Sequence, residues 1–220
     1  MENLQPLQKR VLDLFAKSTL KDKFYWTGGT LLSVYYLNHR ISKDLDFFTG
    51  ENFSCQEIIK FIENLKKEAD LSFVEEKKIH DRYEFIIHNK EKILIDFVKY
   101  EHPQLNNKTN WLGIKIDSLD DIAANKLFCV FDRNDPKDLF DLYFLLTAKK
   151  YTIKELINLT EKKFGVKFAE SSVLSEFHKS TKELNNLEPL MLAKNKKSLI
   201  KDIENYFADL SNNFLNKNLD

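Results

Sequence analysis

"FYWTGGTLLSVYYLNHRISKDLDFF", residues 24–48, is the stretch on which the fold turns. The chain has only five glycines, and two of them, Gly28 and Gly29, stand side by side here between an aromatic run and a run of helical character. "KFYW" reads as a short strand, Thr30 to Leu37 as a helix despite its aromatics, and "DLDFF" as a strand of alternating polarity. Side chains alternate along a strand, so Asp44 and Asp46, at i and i+2, project to the same side. Two like charges so placed repel, and a divalent cation with oxygen ligands relieves them. In isolation the pair also suits two solvated aspartates at a strand end. Gly28-Gly29 admits a double reading too. It is a tight turn, or a cradle in which backbone N–H groups approach a phosphate while Thr30 adds a hydroxyl at the start of the helix. The order of glycine turn, one helix, then D-x-D on a strand favours a phosphate cradle beside a cation site.

The segments on either side extend the pattern. Residues 3–20 carry Leu4, Leu7, Val11, Leu14 and Phe15 at helical spacing, so a helix is expected to end near Ser18. Ser54 with Glu57 three residues on opens a capped helix over 54–69. "LSFVEEKKI", "RYEFIIHN" and "KILIDFVKY" follow as three β-rich runs between short polar turns, the mark of an antiparallel meander. From Ser118 onward everything reads helical. Ser118 with Asp121, Asp135-Pro136, and Thr152 with Glu155 are successive helix starts, the third helix ends near Gly165, and 195–215 is a long amphipathic helix. An α/β part over 1–110 followed by a helical part over 111–220 is the expected division.

Asp96 lies among Ile93, Leu94, Ile95, Phe97 and Val98, where a carboxylate needs a partner. If the meander sets its strand beside "DLDFF", Asp96 becomes a third acid next to Asp44 and Asp46, enough to hold Mg²⁺ or Mn²⁺ together with phosphate. The plainer reading pairs it with Lys92 or Lys99. Downstream, Lys126 and Arg133 share one side of a helix whose Ala123, Leu127, Val130 and Phe131 face the core. Facing a cation site they would neutralise a triphosphate, whereas an exposed helix lysine is the alternative for Lys126. Asp138 sits at the third helical position after Asp135, where an acid stabilises the helix regardless of function. Asp141, between Phe140 and Leu142, is the stronger functional candidate, and both acids could pair with Lys126 or Arg133. The five histidines make no ligand spacing, His39 reads as a surface residue or one beside phosphate, and Trp26 and Trp111 read as core or interface aromatics.

Composition sets the outer bounds. The 220 residues are 43% hydrophobic and 13% aromatic with 18 Phe, too rich in core formers for disorder and too interspersed with charge for a membrane span. No signal peptide is evident, and Cys55 and Cys129 match no metal or disulfide pattern, so a cytoplasmic protein is expected. Net charge is zero, yet residues 149–201 hold twelve Lys against six Glu with no Asp or Arg. That excess fits either a solvated helical face or a surface for RNA.

"GGTLLSVYYLNHRISKDLDFF" resembles the signature of the nucleotidyltransferase-fold proteins of the AbiEii kind, in the DNA polymerase beta-like superfamily, which include abortive-infection and MenT-type toxins of bacterial toxin–antitoxin systems. The family's Gly-Gly-Thr turn and Arg-x-Ser-x-Asp-x-Asp run map onto Gly28, Gly29, Thr30, Arg40, Ser42, Asp44 and Asp46. "DIAANKLFCVFDRNDPKDLFDLYFLL" is similar to its later block and supplies Lys126, Arg133, Asp138 and Asp141. The resemblance implies an α+β fold, a mixed sheet with flanking helices followed by a helical C-terminal part. It also implies transfer of a nucleoside monophosphate from an NTP, with Mg²⁺ or Mn²⁺ on Asp44, Asp46 and Asp96. Lys126 and Asp141 would act in catalysis, and Gly28, Gly29, Thr30, Arg40, Ser42, Arg133 and Asp138 in nucleotide binding. The expected partners are an RNA acceptor, tRNA first, and a cognate antitoxin that need not bind the toxin directly; no membrane is involved. A small-molecule nucleotidyltransferase and a catalytically inactive nucleotide-binding scaffold are the alternatives.

Overall fold

The N-terminal periodicity folds as α1 (Pro6–Phe15), started by a capping box at Gln5 and Gln8 and a proline in its first turn, followed by a single turn α2 (Leu20–Lys23). The helix expected to end near Ser18 thus stops at Phe15, where the α1 carbonyls Leu12, Leu14 and Phe15 are taken by the following N–H groups; residue 3 lies outside the described residues. The chain is described here from a computed structural model, which covers residues 4–133 and 135–219.

Strand β1 (Tyr25–Thr27) runs directly into α3 (Gly28–Leu31), which continues as a π-helix over Leu32–Leu37. Asn38, with φ 51°, leaves that helix in the left-handed region that Asn tolerates better than most side chains. β2 (Leu45–Thr49) comes next, then α4 (Cys55–Glu68), whose Ser54 cap accepts from Gln56 N–H while Glu57 turns its carboxylate to Lys23 Nζ at 2.7 Å. The three β-rich runs form β3 (Phe73–Ile79), β4 (Arg82–His88) and β5 (Lys92–Lys99), paired antiparallel in succession. Two strands that sequence reading did not anticipate, β6 (Thr109–Trp111) and β7 (Ile114–Ile116), make a hairpin turned by Leu112 and Gly113, both at positive φ.

These seven strands form one mixed sheet in the order β3-β4-β5-β2-β1-β7-β6. β2 lies parallel to β5, and β1 parallel to β7 but antiparallel to β2. The alternation of β2, β4 and β5 sends Leu45, Phe47, Tyr83, Phe85, Ile93, Ile95 and Phe97 to one buried face. There Phe47 stacks between Phe15 of α1 (centroids 4.0 Å) and Phe97 (5.3 Å), and Phe61 of α4 meets Phe15 edge-on. The residues between them belong to the opposite face.

The chain divides into two compact units. The first holds the described residues up to Tyr36 and Ser42–Ser118, hence the whole sheet. The second holds Leu37–Ile41 and everything from Leu119. The β6–β7 hairpin lies beyond residue 110 but belongs to the first unit, so the change falls at Ser118. The second unit comprises α5 (Leu119–Asp132), α6 (Pro136–Thr147), α7 (Ile153–Phe164), α8 (Glu170–Thr181), a 3-10 helix (Leu184–Leu190) and α9 (Lys196–Leu219). α6 starts at the expected Asp135 cap with Pro136 in its first turn, and α7 runs from the expected Thr152–Glu155 capping box to a left-handed Gly165. Asp121, in the first turn of α5, makes a wholly buried ion pair with Lys163 of α7 at 2.7 Å. No helix among the described residues is long and apolar enough to cross a membrane.

Candidate active site

Register decides which acids meet. Asp46 on β2 is directly opposite Asp96 on β5, and Asp96 is directly opposite Glu84 on β4. Paired residues on neighbouring strands share a sheet face, so three carboxylates form a row across three strands, with Asp44 just before β2 as a fourth. Arg82, two residues before Glu84, holds the middle of the row. Its Nε donates to Asp96 Oδ1 at 2.9 Å and its Nη2 to Asp96 Oδ2 at 2.6 Å and to Glu84 Oε2 at 3.0 Å. Asp96 thus pairs with an arginine, not with Lys92 or Lys99. Burial pushes the Asp96 carboxyl above its ordinary value, the Arg82 pairing pulls it back, and the charges of Glu84 and Asp44 push it up again. Asp96 above all, then Glu84 and Asp46, raise the Arg82 pKa, so three acids act on one guanidinium while Asp44 acts on Asp96.

The glycine turn closes one end of this row. Gly28 has φ +81°, and a β-carbon built on it would stand 1.9 Å from Asp46 Oδ2 and 2.6 Å from its carboxyl carbon. Only glycine leaves room for that carboxylate, a tighter reason for Gly28 than backbone freedom alone. Thr27, opposite Asp46 in the ladder, donates its hydroxyl to buried Asp117 at 2.8 Å, and Tyr36 donates to the Asp117 carbonyl at 2.7 Å. Thr30 departs from expectation. It is buried and its hydroxyl donates to the Asp44 carbonyl, which fastens the turn to the start of β2 and does not offer that hydrogen to a phosphate. Ser42 contributes its carbonyl as an acceptor for Gln8 Nε2 at 3.0 Å.

Asp44 and Asp46 suit a divalent cation in their chemistry: two carboxylates two residues apart at the start of β2, Asp46 acting on Arg82 and Asp44 on Asp96. Asp96 does not complete the set as it stands, since both of its oxygens are on Arg82. Among the described residues no three Asp, Glu, His or Cys side chains stand together as a ready cage for an ion.

The other expected site residues form a different structure inside the helical unit. Residues 37–41 join this unit through Ile41 N–H to Leu190 carbonyl (2.7 Å) and a bridge between Arg40 and Met191. From there Arg40 grips Asp141 with two bonds, Nε at 2.6 Å and Nη2 at 2.9 Å. His39 Nε2 meets the same carboxylate at 2.7 Å. Lys126 Nζ lies 2.7 Å from both Asp138 and Asp141, and Arg133 makes two bonds to Asp138 at 2.8 and 2.9 Å. The spacing of Asp138 and Asp141 on α6, three apart, puts both toward Lys126 on α5. Burial opposes charge on the two acids and on Lys126, but mutual attraction prevails there: Asp141 is held well below the ordinary carboxylate range by Arg40 and Lys126, Asp138 is lowered by Lys126 and Arg133, and Lys126 is raised by both acids.

This arrangement corrects several expectations. Lys126 is neither an exposed helix lysine nor open to a triphosphate; its ammonium is buried between two carboxylates. Arg40 and Asp141 are likewise buried and bonded to each other. Asp138 is buried, so its position in the first turn of α6 is not its main role. His39 is no surface residue. It stacks on Phe140 at 5.6 Å, burial lowers its pKa, and as a neutral ring facing an ionised acid it donates Nε2–H to Asp141. Arg133 alone among the expected members keeps a half-exposed side chain. Phe131, expected in the core, is half-buried, while Ala123, Leu127 and Val130 are buried as expected. Trp26 is fully buried, its ring 5.4 Å from Trp111. Cys129 is half-buried, its thiol pushed up to about 11 by burial and by Asp138.

Arg82 and Glu84 were not singled out in sequence. Their signal is the period-two alternation of "RYEFIIH", which puts both on the face opposite Tyr83, Phe85 and Ile87.

A family model described as "Nucleotidyl transferase AbiEii toxin, Type IV TA system" matches residues 10–217. An uncharacterized protein of Aquifex aeolicus is 32% identical over 168 residues, covering 74% of this chain and 77% of the relative. Two crystal structures share the fold: a proposed nucleotidyltransferase from H. pylori (TM-score 0.55, 20% identity, 96% of this chain and 94% of the other) and JHP933 from Helicobacter pylori (TM-score 0.53, 19% identity, 97% and 95%). The mixed sheet with flanking helices is thus a nucleotidyltransferase fold, and the helices that follow it are part of the matched length. With the model spanning nearly the whole chain, the protein belongs to the family of AbiEii nucleotidyltransferase toxins of type IV toxin–antitoxin systems.

Proposed function

We propose that this nucleotidyltransferase works at the carboxylate row of the sheet, moving a nucleoside monophosphate from an NTP to a hydroxyl of an RNA, tRNA first among candidates, and that this modification is what makes it a toxin. The observation that carries the reading is the row Asp46, Asp96 and Glu84 with Asp44 beside it, ending at a glycine whose missing side chain admits the Asp46 carboxylate. A divalent cation such as Mg²⁺ or Mn²⁺ on Asp44 and Asp46 would supply the positive charge that neutralises the triphosphate. The backbone of Gly28 and Gly29 lines the approach of the phosphates. In the transfer, the acceptor oxygen bonds to the α-phosphorus as the bond from that phosphorus to the bridging oxygen breaks. Pyrophosphate leaves, and the acceptor's proton passes to Asp96, the carboxylate at the middle of the row.

The RNA reading is supported by the lysine excess of the helical unit, with one revision. Lys163 is buried on Asp121, so the exposed lysines available to a phosphate backbone include Lys149, Lys150, Lys162 and Lys197. Membership in a type IV system implies a paired antitoxin, which need not bind the toxin directly. Incubation with each labelled NTP, Mg²⁺ and total cellular RNA should label RNA with the wild type and not with Asp46→Asn, and induced expression should arrest growth for the wild type alone. Label on small hydroxylated acceptors and none on RNA would defeat the RNA reading. Replacing Lys149, Lys150, Lys162 and Lys197 together by Gln should weaken transfer to RNA and leave NTP binding unchanged.

A further inference from the structure

We propose that Arg82 is a built-in counter-cation that occupies the place of the metal's charge and must release Asp96 before a divalent ion can be fully coordinated. The inference rests on the reading of Asp44 and Asp46 as cation ligands. Three observations carry it. Arg82 takes both oxygens of Asp96 in a forked pair and reaches Glu84 with the same Nη2, so the acid expected as third ligand is blocked by one residue. The blockade is not locked in place: the Arg82 side chain is 41% exposed, while those of Asp96 and Glu84 are 6% and 16% exposed. The acids are fixed and the cation can leave. The row also carries more acid than one guanidinium offsets, because Asp46 and Glu84 lie in register on the face of the Arg82–Asp96 pair and Asp44 adds its charge to Asp96. Metal and guanidinium therefore compete for one carboxylate, and the metal-free protein keeps its acid row from repelling itself by lending it an arginine. Arg82 is on this account a positioning residue, setting when Asp96 becomes available.

Competition makes a sign prediction that a merely structural role does not. Removing a cation normally loosens a folded acid cluster, but here it should tighten metal binding. Mn²⁺ binding to the full chain, followed by the resonance signal of free Mn²⁺, should show Arg82→Gln binding about tenfold more tightly than wild type, a coupling of ordinary size. Arg82→Lys keeps the charge without the fork and should lie between the two. In the double variant Asp96→Asn with Arg82→Gln the gain should vanish. Binding that is unchanged or weaker in Arg82→Gln overturns the proposal. If wild-type binding is lost in Asp46→Asn yet identical in Arg82→Gln, only the role of Arg82 falls. If neither wild type nor Arg82→Gln binds Mn²⁺, the metal reading of the acids falls with it. A second readout needs no variant of the acids. The chain has four arginines, so the Arg82 Nε–H resonance can be assigned by its loss in Arg82→Gln. Saturating Mg²⁺ should shift that resonance as the bond to Asp96 opens, and a resonance that stays in place overturns the proposal.

Discussion

The two units of the chain gather the same kinds of side chain and put them to opposite uses. In the helical unit Asp138 and Asp141 are buried and each carboxylate is gripped by two or more partners among His39, Arg40, Lys126 and Arg133, so attraction outweighs burial and both pKa values fall. On the sheet, Asp44, Asp46, Asp96 and Glu84 crowd one half-buried face around Arg82, and the Asp96 pKa rises. A cluster whose charges are matched inside the protein holds that part of the fold. A cluster left with surplus negative charge on a partly exposed face is not satisfied from within, which is what the proposed binding of a cation and a triphosphate would supply. Matching, not residue type, separates the two.

The sharpest way to break this contrast is to change one acid in each. Asp46→Asn should lower nucleotide transfer by about a thousandfold, the size expected when a preorganised charge is removed from a phosphoryl-transfer site. Its unfolding temperature should stay level or rise, since one repelling charge has gone. A parallel loss of stability would mean that the acid row is structural after all. Asp141→Ala should behave in the opposite way, destabilising the fold by about 3–5 kcal/mol because Arg40 and Lys126 are left buried without their partner. Urea unfolding measures it, and a loss under about 1 kcal/mol would place Asp141 outside the structural cluster. Gly28→Ala tests how the turn and the row depend on each other. The β-carbon must push the Asp46 carboxylate aside, so transfer should drop about a hundredfold from misplacement, beyond the roughly 1–2 kcal/mol of left-handed backbone strain.

The smallest effect is in pH. His39 and the two acids of the helical cluster have folded pKa values below their unfolded ones, so each binds a proton more readily when unfolded. Stability should then fall as pH drops, first below about pH 6.5 as unfolded His39 takes up its proton and again below about pH 4 for the carboxylates. Replacing His39 by Asn should flatten the first step and leave the second. An unchanged slope between pH 7 and pH 5 would show that His39 is not the buried neutral group described here.

Alternation made much of this legible in sequence. The spacing of Asp44 and Asp46, and the apolar flanks of Asp96, were enough to place three acids on one face once the meander was foreseen. Arg82 and Glu84 escaped because their contacts run across strands, and register is set by pairing, not by local pattern. The three-residue strands β6 and β7 escaped because so short a run carries no period. The Thr30 hydroxyl departs from expectation because a hydroxyl at a helix start donates back to the chain as readily as to a ligand. The burial of Lys126 was hidden by its neighbours. A lysine among apolar residues on α5 looks like the solvent stripe of an amphipathic helix until the acids of α6 are placed opposite it.

The detour of Leu37–Ile41 into the helical unit has a consequence for synthesis. Arg40 is made long before its partner, since Asp141 follows it by 101 residues. At roughly 5–20 residues per second a ribosome needs on the order of 5–20 s to produce that stretch. Throughout that interval the short segment hangs between two parts of a sheet that can already pair, while the helices that will receive it do not yet exist. A fragment beginning at Leu119 would keep every helix from α5 on and still lack the arginine that Asp141 requires, so the helical half cannot be excised as a self-sufficient module by cutting at its visible boundary.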